Sequence, residues 1–304
     1  MSKFLFQQNL TEVLKLFQNY SLLILIDKKK NINYDISSLM YIHNLNPILI
    51  NFGFFEIRWY SLAYIFGILI GWWVAKKIIN MKIINKVVSF NVDSFDDLIS
   101  YIIVSMILGG RIGYIIFYNF TYYSNNPIDV FKIWQGGMSF HGALLGIIIG
   151  TYFFSKKKNI NTFFFLDIIA CVAPIGIFLG RIANFVNGEL YGKPSNFLFT
   201  VIFPKIDMVA RHPSQLYEAF LEGIVLFFIL ITVVLRKNIK IGVCSGLFMI
   251  LYGSFRILVE QFREPDVQIG YLFNLFSMGS ILSFAMILSG VFILVKIKNN
   301  EINK

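Results

Sequence analysis

The chain alternates between long apolar runs and short polar links. A membrane-crossing helix needs about 20 apolar residues, with about 17 as the short limit. Seven stretches meet that length: Trp59–Ala75, Leu98–Tyr118, Met138–Phe154, Phe163–Val186, Leu216–Leu235, Ile241–Glu260 and Leu272–Val295. The pattern predicts an all-α integral membrane protein with about seven transmembrane helices. Composition agrees, since 57% of residues are apolar and 14% charged, against roughly 25% charged in an ordinary soluble domain.

The links differ in charge. Those after the first, third and fifth runs, together with the C-terminal tail, carry thirteen lysines and arginines, and the alternate links carry five. Basic links stay cytoplasmic, so the N-terminal side of the first span is expected outside and the C-terminus inside. The net charge of +10 is read as topology signal and lipid-headgroup contact. No basic groove motif for nucleic acid accompanies it. The link 187–215 is the longest and holds Pro194, Pro204, Pro213 and a β-like run, Phe197–Phe203. It is expected to form a small periplasmic head, and links of this length are often functional. Residues 1–45 form an N-terminal extension. Leu5 to Ile26 is rich in apolar residues and is followed by Lys28, Lys29 and Lys30, but Leu22–Ile26 is too short to span. An amphipathic surface helix is the plain reading, and the segment stays unassigned. Residues 46–296 make the seven-span domain and 297–304 a cytoplasmic tail.

Against this apolar background a few polar residues stand out. Arg111, Arg181 and Arg256 lie inside apolar runs, in the outer halves of outward-running helices. A charge in hydrocarbon is costly and usually faces a cavity or a bound partner. The three arginines point to one site at the outer leaflet, built for an anionic ligand. Arg181 and Asn184 share a helix face, as do Tyr252, Arg256 and Glu260. A guanidinium fork matches phosphate oxygens two at a time. Glu260 pairs with Arg256 or Arg263 as a structural group or belongs to the site, and both readings stand. Glu218 and Glu222, four apart near the outer end of the fifth span, require a cation from a neighbouring helix. Arg111 is most economically read as such an ion pair. The triplet Gly110–Arg111–Ile112 recurs as Gly180–Arg181–Ile182, too short an echo to define a repeat.

His141 opens the third span. An imidazole titrates near neutral pH and can accept a proton, although a lone histidine is more often a satisfied hydrogen-bonding group. Gly142, Gly146 and Gly150 recur every four residues and predict a smooth face for close helix packing. Ser214 is placed to cap the fifth span. Cys171 and Cys244 sit in apolar runs with no metal-like or disulfide spacing and read as core residues.

Together these stretches resemble the bacterial phosphatidylglycerol–prolipoprotein diacylglyceryl transferases. The resemblance is carried by Arg58–Tyr64, Gly109–Tyr114, Gly136–Gly142, Gly180–Gly192, Arg211–Glu218 and Arg256–Asp266, in order and spacing, over about Asn46 to Lys296. Ala143 stands where the family commonly has glycine. The resemblance implies seven spans in the bacterial inner membrane with a site open to the periplasmic leaflet. It implies an activity in which the diacylglyceryl group of phosphatidylglycerol moves to the thiol of a lipobox cysteine in a prolipoprotein, releasing a glycerol phosphate. The family's functional positions fall on Tyr60, His141, Arg181, Asn184, Glu189, Gly192, Tyr252, Arg256 and Glu260. A mechanism consistent with that resemblance has Arg181 and Arg256 grip phosphate, His141 either take the thiol proton or only orient a substrate group, Asn184 and Tyr60 orient headgroup oxygens, and Gly192 allow a tight turn. Neither a metal nor another cofactor is expected. A transporter or flippase of an anionic lipid or solute is the competing class, and it should show inverted repeats and broken helices. A purely structural scaffold is a third, and it leaves the arginines unexplained.

Overall fold

The computed structural model describes residues 40–53, 56–84, 90–197, 199–264, 271–272 and 276–299. The surface helix expected in the N-terminal extension lies outside them, as do residues 300–304 of the tail. Seven long helices form the bundle: α1 (Trp59–Ile84), α2 (Phe95–Tyr118), α3 (Phe140–Lys158), α4 (Thr162–Asn187), α5 (Ser214–Val234), α6 (Val243–Glu260) and α7 (Met278–Lys298). All but α3 are long and apolar enough to cross a membrane. The expected third span does form a helix, but three glycines, His141 and the terminal Lys156, Lys157 and Lys158 dilute its apolar character. The multi-pass membrane architecture therefore stands, with six helices able to cross a membrane among the described residues and α3 as a seventh helix.

Helix α1 runs beyond the expected Ala75 because its lysines find partners at the helix end instead of stopping it. Lys76 lies 3.0 Å from Asp96, and Lys82 donates to the Arg236 carbonyl at 3.3 Å. At the same end Asp167 receives the amides of Gly242 and Ser245 at 2.6 and 2.7 Å and the Ser245 hydroxyl at 2.6 Å. A buried carboxylate thus satisfies orphan N–H groups at the start of α6. Above it, Phe154, Phe165, Ile78, Leu98, Ile168, Leu226 and Leu230 fill the core. Cys171 and Cys244 are buried among the same residues, as core cysteines should be.

The glycine lane on α3 packs as its spacing predicts. A methyl group on Gly142 or Gly146 would run into the backbone carbonyls of Gly109 and Ser105 on α2, so the two backbones touch along this seam.

At the opposite end of the bundle, β1 (Tyr41–Ile42) pairs in parallel with β4 (Val201–Ile202), which pairs antiparallel with β5 (Ala210–Arg211). The register sets Tyr41 against Val201 and Val201 against Arg211. The β-like run Phe197–Phe203 therefore contributes a strand only at Val201–Ile202 among the described residues, and its partner comes from the N-terminal extension. His43 follows β1, is buried, and bonds through Nε2 to the Phe185 carbonyl at 2.7 Å. Burial lowers its pKa below the ordinary histidine value, with the Phe185 contact opposing. A second hairpin, β2 (Ile48–Asn51) with β3 (Glu56–Arg58), leads into α1.

Candidate active site

The site is built where α4 and α6 end and α3 and α5 begin. Gly188, at φ 71°, closes α4 in the left-handed conformation, and Leu190 turns the chain at φ 57°. Helix α5 then starts at Ser214. Ser214 does not cap it. Pro213 occupies the cap position, and the Ser214 hydroxyl donates to the Leu190 carbonyl at 3.0 Å. Gln215 likewise reaches back to the Glu189 carbonyl at 2.7 Å, so the head link is tied to α5 by buried side chains. Within α5 the turn Ala219–Val225 is π-helical, a rare widening that is frequent at functional sites.

Glu218 and Glu222 project from this stretch and are fully buried. Oε2 of Glu218 lies 3.1 Å from Nε of Arg181, and Oε2 of Glu222 lies 3.4 Å from Nη2 of the same arginine. Oε1 of Glu218 accepts from Nη1 of Arg256 and, at 3.0 Å, from Nη1 of Arg263. Nη2 of Arg256 is 2.8 Å from Glu260. Single buried charges are expensive, and pairs are tolerated when their geometry is good and their lone pairs are met. Here three arginines from α4, α6 and the turn after α6 share three glutamates. Tyr252, one turn before Arg256, is buried and stacks on Phe248 at 5.5 Å between ring centres. Gly279 at the start of α7 closes over the pair, since a methyl there would lie 3.2 Å from Arg256 and 3.3 Å from Glu260.

Asn184 shares the α4 face of Arg181 and donates to Oε1 of Glu189 at 2.7 Å, where Asn187 also donates at 3.2 Å. Tyr60 bonds to Tyr64 through their hydroxyls at 3.2 Å. Tyr64 in turn lies within electrostatic reach of Arg181 and Glu189. His141 sits in the first turn of α3, within electrostatic reach of Arg256. Ser139 caps that helix by accepting from the Gly142 amide at 3.2 Å.

Two expectations are corrected. Arg111 joins neither Glu218 nor Glu222. It donates to five backbone carbonyls of the loop before α3, one of which, that of Asp129, also accepts the Lys132 amide at 3.1 Å. Gly192 makes no tight turn, being held instead in extended backbone. It is needed because its Cβ would collide with the backbone of His212 and Phe262, and its amide donates to the His212 carbonyl at 3.0 Å. It forms a bridge with Arg263, so it acts on the cluster through that neighbour. Arg263 itself was not singled out as a site residue, since a cation just past a span reads as an ordinary link residue. It is buried, with a relative exposure of 6%. The phase of Glu218 and Glu222 was the available signal, as two buried acids need more than one cation.

Around the cluster the head is held by a second set of polar contacts. Arg211 bonds to Asp207 at 2.5 Å and to Glu264 at 3.3 Å, over the ring of Tyr191. Its guanidinium holds the Asp207 carboxyl below the usual carboxylate range. His212 bonds to Tyr217 at 3.2 Å, and burial lowers its pKa.

A family model described as prolipoprotein diacylglyceryl transferase matches residues 47–296. The chain belongs to that family. A phosphatidylglycerol–prolipoprotein diacylglyceryl transferase of Rickettsia bellii is 49% identical over 263 residues, covering 86% of this chain and 98% of the relative. One from Rickettsia typhi is 48% identical over 86% of this chain and 100% of its own length. One from Rickettsia africae is 51% identical over 83% of this chain and 96% of its own. The matched span takes in the β2–β3 hairpin, helices α1 to α6 and α7 as far as Lys296.

Proposed function

We propose that the arginine–glutamate cluster, with His141 within electrostatic reach of Arg256, is where the diacylglyceryl group of phosphatidylglycerol passes to the lipobox cysteine of a prolipoprotein. As a member of this family, the protein is a transferase acting in the first step of lipoprotein maturation. The observation that carries the assignment to this site is the convergence of Arg181 and Arg256, from two different helices, on the single carboxylate of Glu218.

The chemistry fits such a layout. The cysteine sulfur forms a bond to the glyceryl carbon, and the bond from that carbon to the phosphate oxygen breaks. The thiol loses its proton, and the leaving glycerol phosphate gains a negative charge. Arg181 and Arg256 stabilise that developing charge. His141 takes the thiol proton, since the thiolate is the nucleophile. Glu260 orients Arg256, Glu189 orients Asn184, and Asn184 and Tyr60 hold headgroup oxygens, while Tyr252 walls the arginines. The lysine-rich ends of the helices support an inner-membrane protein with this site toward the periplasmic leaflet and a cytoplasmic C-terminus. The transporter alternative gives way to the family result.

Labelled phosphatidylglycerol and a lipobox peptide test the reading. Transfer to the peptide thiol is expected from the intact protein and not from correctly inserted Arg181→Ala. Full transfer by that variant would place the chemistry elsewhere.

A further inference from the structure

We infer that Arg111 is a positioning residue for the transfer reaction: it clamps residues 129–137 onto α2 and so fixes where α3, with His141 in its first turn, begins. The inference rests on the reading of His141 given above.

Arg111 lies on α2 with a relative exposure of 3%. No carboxylate lies within ion-pair distance of it among the described residues. Its Nε donates to Val130 at 2.9 Å, Nη1 to Gly136 at 2.5 Å and Gly137 at 3.3 Å, and Nη2 to Asp129 at 2.6 Å and Lys132 at 3.2 Å, all to backbone carbonyls. The guanidinium also lies over the ring of Tyr123, 5.0 Å from its centre. The segment it holds is irregular. Two 3₁₀ turns, Pro127–Phe131 and Ile133–Gln135, are followed by Gly136 and Gly137 at φ 83° and 79°. Short turns of this kind meet only some of their carbonyls with local amides, and the others need donors from elsewhere. A planar guanidinium can serve several at once, and an ammonium on a flexible stem cannot reproduce that fork.

The link to His141 is short and rigid. Gly137 packs flat on Tyr114 of α2, where a methyl would fall 2.6 Å from the ring and 3.1 Å from Nη1 of Arg111. The Ser139 amide donates to the Gly110 carbonyl at 2.8 Å, next to Arg111 in the chain. Ser139 then caps α3. Nothing in this chain of contacts touches the arginine–glutamate cluster. The clamp therefore sets the position of His141 without adding a group to the site.

The test compares full-length Arg111→Lys, Gly137→Ala and His141→Gln in lipid nanodiscs. It reads kcat, KM for phosphatidylglycerol, and hydrogen exchange of the amides at 139–143. Arg111→Lys keeps the charge and loses the fork. Gly137→Ala displaces the same loop by collision with Tyr114 and carries the test alone if the lysine variant fails to insert. Both are expected to lower kcat by about 10- to 100-fold, the scale of an ångström-sized misplacement, with KM within about twofold and faster exchange at 139–143. Exchange that rises while kcat holds, or a raised KM at unchanged kcat, overturns the inference. His141→Gln separates the two readings. If it is inactive while the other variants run at full kcat, only the inference fails. If it runs at full speed, the role of His141 fails, and with it the route by which Arg111 acts.

Discussion

Arg181 and Arg256, carried by α4 and α6, share one carboxylate: Oε2 of Glu218 faces the first and Oε1 the second. Glu218 also meets Arg263 at 3.0 Å, whereas the ion pair seen for Glu260 among the described residues is with Arg256. Removing one partner of a buried pair typically costs about 3–5 kcal/mol, because the other charge is left uncompensated. Glu218→Ala is therefore expected to destabilise the protein by about that much and by more than Glu260→Ala. Thermal unfolding of both variants in the same detergent checks the ranking, and equal losses would contradict it.

The arginines are expected to differ from lysines in kind. Arg181 addresses Glu218 and Glu222 through two different nitrogens, a forked geometry that a lysine cannot copy. Arg181→Lys should leave the protein inserted and lower kcat by about 100-fold or more, the scale seen when one donor to a developing oxyanion is lost. Wild-type kcat in the lysine variant would show that charge alone suffices.

The seam between α2 and α3 predicts a purely steric effect. Gly146→Val pushes a side chain into the Ser105 carbonyl. Overpacking of this kind costs about 1–3 kcal/mol or more. A lower melting temperature with unchanged lipid KM is expected, and Leu145→Val, at an exposed neighbour, should be nearly silent.

The head should loosen in acid. His43 is held neutral by burial, below its ordinary value of 6.5. The unfolded chain then binds a proton that the folded head does not, so the stability from His43 is complete above the ordinary value and is lost as pH falls from there toward the depressed one. Limited proteolysis of the link 187–215 should therefore quicken between about pH 7 and pH 5, where histidine titrates. The same profile should flatten in His43→Phe, and a slope unchanged by that substitution would assign the effect to another group.

Much of the bundle was legible because its signals are local. Runs of apolar residues mark the helices, lysines mark one end, and glycines at every fourth position mark the α2–α3 seam. Arg181, Arg256 and Glu218 stood out because charges are rare in such runs. What was hidden depends on partners that leave no trace in side-chain pattern. Arg111 is satisfied by backbone carbonyls, which every residue possesses. Arg263 is buried by the way the chain turns after α6, and a cation in a link looks solvated. The pairing of β1 with β4 joins two-residue strands from distant parts of the chain, far below the length at which alternation can be read. The role of Gly192 arises from two other backbones converging on it.

The glutamates around the arginines also bear on how the protein handles its ligand. Three guanidinium groups already have three carboxylates as internal counterions. On the proposed reading, an incoming phosphate meets guanidinium groups whose charge these carboxylates already offset, so it is held less tightly than three bare cations would hold it.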